Sequence, residues 1–331
     1  MSDVRLVIDG AAVSVPEGAT ILEACRADGQ NQPTLCYLET LTPVNTCRVC
    51  VVQVAGSRTL VPSCSRVVEE GMDISTNSPA VRQTRKMVFE FLASSVDLSL
   101  VDEPTQQWMD YYEVDPTRYG PAGPDSPAGG RDARHPGHHA PPVDGLAETV
   151  AQPVKIDDAL YVRDYAKCIL CYKCVEACGP DAQNTFAIQV AGRGFDARIS
   201  TEFDVALTSL ACVYCGNCIG VCPTGALMFR SEYELRAAGM WHEDEQSVTR
   251  TVCSFCGVGC NLELHVQDNR IVKVTSPMDH SVTAGHLCIK GRFGYEAPGP
   301  PKRRDDEPTS SSRRSPTLCS RAPSSKRSAC S

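Results

Sequence analysis

Sixteen of the nineteen cysteines in this 331-residue chain fall into four groups of four. The groups are Cys36, Cys47, Cys50 and Cys64; Cys168, Cys171, Cys174 and Cys178; Cys212, Cys215, Cys218 and Cys222; and Cys253, Cys256, Cys260 and Cys288. Thiolates are soft ligands that select zinc, copper(I) or iron–sulfur clusters. Four of them meet at one point most readily from loops with short Cys-x-x-Cys steps. A disulfide framework is the other use of many cysteines, but it belongs to short secreted chains. Here Met1 to Arg5 run straight into a strand-like pattern, with no basic region or apolar stretch of a secretory leader. No apolar run approaches the ~20 residues of a membrane span. With 32 basic against 40 acidic residues and a net charge of −8, the acidic balance argues against a nucleic-acid binder. The expectation is a cytoplasmic protein with metal or redox chemistry.

The second and third quartets read Cys168-Ile-Leu-Cys171-Tyr-Lys-Cys174-Val-Glu-Ala-Cys178 and Cys212-Val-Tyr-Cys215-Gly-Asn-Cys218-Ile-Gly-Val-Cys222-Pro223. Each is C-x2-C-x2-C-x3-C, which resembles the run of bacterial two-cluster [4Fe–4S] ferredoxins. In that family the first three cysteines of a run hold one cluster and the fourth crosses to the other. The resemblance therefore implies the ligand sets 168/171/174/222 and 212/215/218/178. Pro223 matches the usual Cys-Pro ending, whereas position 179 is glycine. The competing reading is a pair of zinc knuckles, but zinc sites usually show two separated Cys-x-x-Cys pairs.

The first quartet is C-x10-C-x2-C-x13-C. Two alternating segments precede it, Val4 to Ile8 and Ala12 to Val15, followed by a helix-like Thr20 to Cys25. This order resembles a β-grasp [2Fe–2S] ferredoxin of the variant that opens complex I large subunits, iron-only hydrogenases and some formate dehydrogenases. Cys25 lies on the apolar face of the helix and reads as a small buried hydrophobe. The fourth quartet is C-x2-C-x3-C-x27-C, closing on Cys288-Ile-Lys290-Gly291. A hairpin is expected within it, Leu262 to Val266 and Ile271 to Val274 around Asp268-Asn269. The quartet resembles the [4Fe–4S] domain that opens bis-pterin molybdenum and tungsten oxidoreductases. In that family a lysine at the position of Lys290 lies between cluster and pterin, which makes Lys290 a candidate cofactor-binding residue. The plain alternative is a solvated surface lysine.

The expected class is therefore α+β, a multi-domain chain of small iron–sulfur modules: a β-grasp [2Fe–2S] ferredoxin over 1–77, a helical connector over 78–119, and a Pro/Gly/His-rich linker over 120–154 carrying His135, His138 and His139. A two-cluster [4Fe–4S] ferredoxin follows over 155–240, and a molybdopterin-oxidoreductase-type [4Fe–4S] domain over 248–296. Ser78-Pro79 caps an amphipathic helix expected at 79–95, with Val81, Val88, Phe91 and Leu92 on one face. A strand is expected near Phe195 to Ile199, a short helix near Val205 to Leu210, and a connecting helix at 231–242. Gly192-x-Gly194 is a fragment of a dinucleotide fingerprint outside any βαβ unit, so it predicts no NAD site.

Residues 298–331 hold nine Ser, six Pro and no aromatic residue, a composition that predicts disorder. Their eight basic and three acidic residues leave the rest of the chain at −13. Cys319 and Cys330 lie there without an assigned role.

The order of modules over about residues 1–296 resembles the alpha subunit of cytoplasmic NAD-dependent formate dehydrogenases. That resemblance implies one [2Fe–2S] and three [4Fe–4S] clusters as an electron relay, a molybdenum or tungsten bis-pterin centre in a full-length form, and a hetero-oligomer with an FMN/NAD-binding diaphorase-type partner. It implies no membrane insertion. Many relatives carry a further His-x3-Cys-x2-Cys-x5-Cys cluster, which this chain lacks. The family's metal-ligating and catalytic residues would follow residue 297, where the sequence reads as a truncation or an out-of-frame extension, so this polypeptide alone is expected not to oxidise formate. The alternatives are an electron-transfer subunit of a hydrogenase or NADH:quinone oxidoreductase, a stand-alone electron carrier, and a zinc-stabilised structural protein.

Overall fold

An Asp-Gly pair opens the structure. Asp9 (φ 48°) and Gly10 (φ 85°) both take positive φ, the conformation of the two-residue turn whose twist matches its flanking strands. They join β1 (Asp3–Ile8) to β2 (Ala11–Pro16) in antiparallel register. α1 (Ile21–Ala27) follows, with Thr20 and Glu23 forming a reciprocal capping box. β3 (Val51–Val54), β4 (Val61–Pro62) and β5 (Asp73–Ser75) complete a sheet of order β2-β1-β5-β3-β4, in which β1 and β5 run parallel. This is the β-grasp order expected. Its core joins Leu6, Ile8, Ile21, Val52 and Ile74. Cys25 is fully buried in that core, and burial pushes its thiol up to about 11.

The structure is a computed structural model that describes residues 2–119, 153–193 and 197–296. The expected linker, with His135, His138 and His139, falls almost wholly in 120–152, outside the described residues. So do Gly194 and Phe195, and the tail with Cys319 and Cys330.

α2 (Pro79–Ser95) has the predicted bounds. Ser78 accepts the Val81 amide and proline stands in its first turn. Its buried face carries Arg85, whose guanidinium donates to the Val51 carbonyl, Gln32 Oε1 and Tyr112 Oη, each at 2.8 Å. Phe89 packs with Leu35 and Val49, so this helix closes the underside of the first cysteine loop. α3 (Glu103–Tyr111), capped by Asp102, leads back to the middle module, where the Asp102 amide donates to the Pro223 carbonyl at 2.9 Å.

The middle module is built from two similar halves. β6 (Tyr161–Arg163) pairs antiparallel with β9 (Leu227–Phe229). Between them lie α4 (Lys173–Cys178), the hairpin β7 (Gln189–Ala191) and β8 (Arg198–Ser200), and α5 (Asn217–Gly220). The helix expected near Val205 to Leu210 is a 3₁₀ turn, Leu207–Ser209. α6 (Arg230–Ala237) is shorter than the expected 231–242: Gly239 turns into positive φ and the Met240 amide returns to the Leu235 carbonyl.

The last module is a three-stranded antiparallel sheet, β10 (Ser247–Val252), β11 (Asn261–Gln267) and β12 (Arg270–Thr275), followed by α7 (Ile289–Phe293). Asp268 and Asn269 form the predicted turn, both at positive φ. Its buried apolar cluster is small, Cys253, Leu262, Val274 and Leu287, with Val272 buried beside it on β12. All three modules lie in one compact unit ending at Tyr295. No helix among the described residues is long and apolar enough to cross a membrane.

Thr20→Ala removes a capping box, a loss of about 1 kcal/mol. Amide exchange in the first turn of α1 is expected to accelerate about fivefold on that figure, with exchange in α2 unchanged.

Candidate metal centres

In the middle module the cysteines interleave. One cavity is lined by Cys168, Cys171, Cys174 and Cys222, together with Ile169, Ile199 and Leu227. A second is lined by Cys178, Cys212, Cys215 and Cys218, with Ile188, Leu207 and Leu227. The last cysteine of each run has thus left its own run for the other's cavity.

The two runs share one backbone path. Leu170 (φ 53°) and Tyr172 (φ 64°) in the first correspond to Tyr214 (φ 56°) and Gly216 (φ 69°) in the second. Left-handed residues at these offsets turn amides inward: the Leu170 N–H donates to Cys168 Sγ and the Tyr214 N–H to Cys212 Sγ, both at 3.4 Å. Hydroxyls add to this. Tyr161 Oη lies 2.9 Å from Cys212 Sγ, and Thr185 Oγ1 lies 3.4 Å from Cys178 Sγ. Hydrogen bonds to sulfur tune cluster potentials. Sequence reasoning passes over Tyr161 and Thr185, because neither stands within a cysteine run.

Burial in this dry setting disfavours free thiolates. It raises the thiols of Cys168, Cys174 and Cys218, and it pushes Cys171 up to about 11 against the pull of the Lys173 ammonium. Sites of this kind become anionic when a metal takes the place of the protons.

The glycine at position 179 has a reason. Its N–H donates to the Val175 carbonyl at 2.7 Å and the Glu176 carbonyl at 3.1 Å, and an added Cβ would stand 3.0 Å from that Val175 oxygen. Proline could do neither. The chain then folds back, with the Thr185 and Phe186 amides on the Cys178 carbonyl. The second run has no such return and ends on Cys222-Pro223.

The first quartet lies between α1 and β3, with Cys64 after β4. Cys36, Cys50 and Cys64 are buried and Cys47 is half-buried. Their thiols touch one another: contact with Cys47 and Cys64 holds Cys36 well below the usual range, and Cys64 draws Cys50 down to about 6. The same contacts drive Cys47 and Cys64 upward. Ser63 Oγ, next to Cys64, is buried and helps to lower the Cys50 thiol. The loop docks on the middle module through the Thr42 amide and hydroxyl on Asp181, at 2.6 and 2.9 Å. Cys36 is close enough to act electrostatically on Cys171.

In the fourth quartet Cys253 is buried, Cys260 half-buried, and Cys256 and Cys288 exposed. The Cys253 amide donates to the Cys260 carbonyl at 2.7 Å, and burial raises the Cys260 thiol. Lys290 is exposed in the first turn of α7, two residues after Cys288.

All-sulfur sets fit both zinc and iron–sulfur groups. What favours the larger group in the middle module is the arrangement around cavities. The inward amides are donors suited to a sulfur-rich ligand.

Three family profiles match: a 2Fe-2S iron-sulfur cluster binding domain over residues 2–79, a 4Fe-4S dicluster domain over 167–226, and a molybdopterin oxidoreductase Fe4S4 domain over 246–297. The chain is 33% identical to the NADPH-Fe(3+) oxidoreductase subunit alpha of Geobacter sulfurreducens, over 91% of this chain and 32% of that one. It is 30% identical to an NADH-quinone oxidoreductase subunit of Rhizobium meliloti, over 88% and 31%. A putative formate dehydrogenase of Staphylococcus haemolyticus is 25% identical over 88% and 30%. The chain therefore spans about a third of the length of these relatives. Among solved structures, an NAD+-reducing [NiFe]-hydrogenase shares the fold with a TM-score of 0.54 at 21% identity, over 69% of this chain and 88% of that one.

Gly179→Pro deletes a buried amide donor, a loss of about 1–3 kcal/mol. A lower thermal midpoint of the metal-loaded protein is expected, with Gly179→Ala intermediate.

Proposed function

From the premise that this chain is the N-terminal iron–sulfur region of the oxidoreductase family that includes an NADH-quinone oxidoreductase subunit, NADPH-Fe(3+) oxidoreductase subunit alpha and formate dehydrogenase-like proteins, we propose that it serves as the electron relay of a formate-dehydrogenase-like enzyme. The observation that carries this reading is the interleaving of Cys178 and Cys222 between the two middle cavities. Three cysteines within seven residues, completed by the last cysteine of the other run, is the ligand order of two-cluster ferredoxins, whereas zinc sites usually show separated Cys-x-x-Cys pairs.

When bound, each iron–sulfur group takes up and gives back one electron. Cys36, Cys47, Cys50 and Cys64 are proposed to hold a [2Fe–2S] group. Three [4Fe–4S] groups are assigned to Cys168, Cys171, Cys174 and Cys222; to Cys178, Cys212, Cys215 and Cys218; and to Cys253, Cys256, Cys260 and Cys288. Ile169, Ile199, Ile188, Leu207 and Leu227 keep water from the middle pair. The Leu170 and Tyr214 amides and the Tyr161 hydroxyl stabilise negative charge on the sulfurs. The Thr42–Asp181 contact fixes the first loop against the first middle site.

The match over 246–297 supports a molybdenum or tungsten pterin centre in a longer form, for which Lys290 would be a candidate cofactor-binding residue. The partner is proposed to be an FMN/NAD-binding diaphorase-type subunit in a cytoplasmic hetero-oligomer. This segment holds and passes electrons; the oxidation of formate is assigned to residues outside it.

Anaerobically purified protein is expected to contain about fourteen iron atoms with matching acid-labile sulfide. About four zinc and no sulfide would overturn the reading. The interleaving is read by paramagnetic resonance after dithionite. Cys222→Ser is expected to remove the same signal as Cys168→Ser, and Cys178→Ser the same signal as Cys212→Ser. The reverse pairing would refute the exchange.

A further inference from the structure

Arg292 is fully buried. It stands on α7 of the last module, yet its guanidinium is inserted in the second cysteine run of the middle module. Nε donates to the Cys215 carbonyl at 2.9 Å, and the terminal nitrogens reach Asn217 Oδ1 and the Gly285 carbonyl at 3.3 Å and the Val274 carbonyl at 3.5 Å. All four acceptors are neutral, and among the described residues no carboxylate pairs with it. The bond to the Cys215 carbonyl sets the guanidinium against the loop that carries Cys215 and Cys218. A buried cation without an anion is strongly unfavourable.

The slot that takes it is built. A Cβ on Gly216 would stand 2.3 Å from Arg292 Cδ, and one on Gly220 would stand 3.3 Å from the guanidinium. Backbone conformation alone does not demand glycine at 216: Tyr172, at the same offset of the first run, holds φ 64° against 69°. What demands it is the arginine. Asn217 also donates no charge of its own. Its Oδ1 accepts from both Arg292 and the Leu287 amide. At the same offset the first run has Lys173, buried and standing between Cys171 and Cys174.

We infer that Arg292 supplies to the 178/212/215/218 site, from the neighbouring module, the buried cation that Lys173 supplies to the 168/171/174/222 site from within its own run, so that the reduction potential of the former depends on the last module being docked. This rests on the iron–sulfur reading above. A positive charge beside a group that gains an electron favours the reduced form. Arg292 is a positioning and potential-setting residue; it does not hold the group.

The test is a redox titration of the whole chain, followed by paramagnetic resonance. Arg292→Met is expected to shift to lower potential the one signal that Cys212→Ser removes, leaving the others in place. Arg292→Lys keeps most of the potential. Lys173→Met shifts a different signal, the one that Cys168→Ser removes. Should Arg292→Met lose its cluster, Arg292→Gln decides, because it removes the charge and keeps a polar donor in the slot; the same downward shift is expected. An unchanged potential in Arg292→Gln, or an equal shift of every signal in Arg292→Met, overturns the inference. Wild-type protein without acid-labile sulfide refutes the underlying reading instead.

Discussion

The exchange of Cys178 and Cys222 is the constraint on which the middle module depends. Each cavity needs a sulfur from the opposite run, so neither half can close its site alone. The strands agree with this. β6 and β9 come from the two ends of the module and pair with each other, so the chain ends are tied together as the sites are. Leu227 lines both cavities. Loading one site therefore stiffens the wall of the other, and the two are expected to fill as a unit.

The local backbone bears the strain of this arrangement. Leu170, Tyr172 and Tyr214 all sit in the left-handed region, which disfavours residues with a Cβ by roughly 1–2 kcal/mol each. The strain recurs at equal offsets in both runs, so it belongs to the motif and not to its surroundings. What it achieves is visible in the amides of Leu170 and Tyr214, turned from the backbone ladder to sulfur. A strained loop can hold donors inward before any ligand arrives, and little rearrangement then opposes binding.

The sequence showed some of this plainly and some of it not at all. The quartets, the helix at Pro79–Ser95, the Asp268-Asn269 turn and the burial of Cys25 follow from local signals: spacing, a cap, turn residues, an apolar face. Arg292 did not stand out, since its meaning depends on Gly216, Gly220 and Asn217, some seventy residues earlier. A comparison of the two runs position by position held the clue: on the same cysteine spacing, Gly216, Asn217 and Gly220 stand where the first run has Tyr172, Lys173 and Glu176. Boundaries failed where tertiary contacts set them. α6 stops at Ala237 because Gly239 turns the chain, and Met240 and His242 then bond Gln267 of β11.

Charge ties these pieces together. The chain is acidic as a whole, at −8, yet side chains buried close to the cysteines are cationic: Lys173, Arg163 and Arg292. Arg163 has Asp157 as its partner; Arg292 has only neutral acceptors. In the absence of a bound anionic group the guanidinium opposes the docking of α7; with thiolate-held iron present, the same burial becomes favourable. Docking of the last module and filling of the 178/212/215/218 site are then linked equilibria, each raising the other by the same factor. A chain built in this way couples the seating of its final module to the filling of the site it touches, and the sign of one buried charge sets the direction of that coupling.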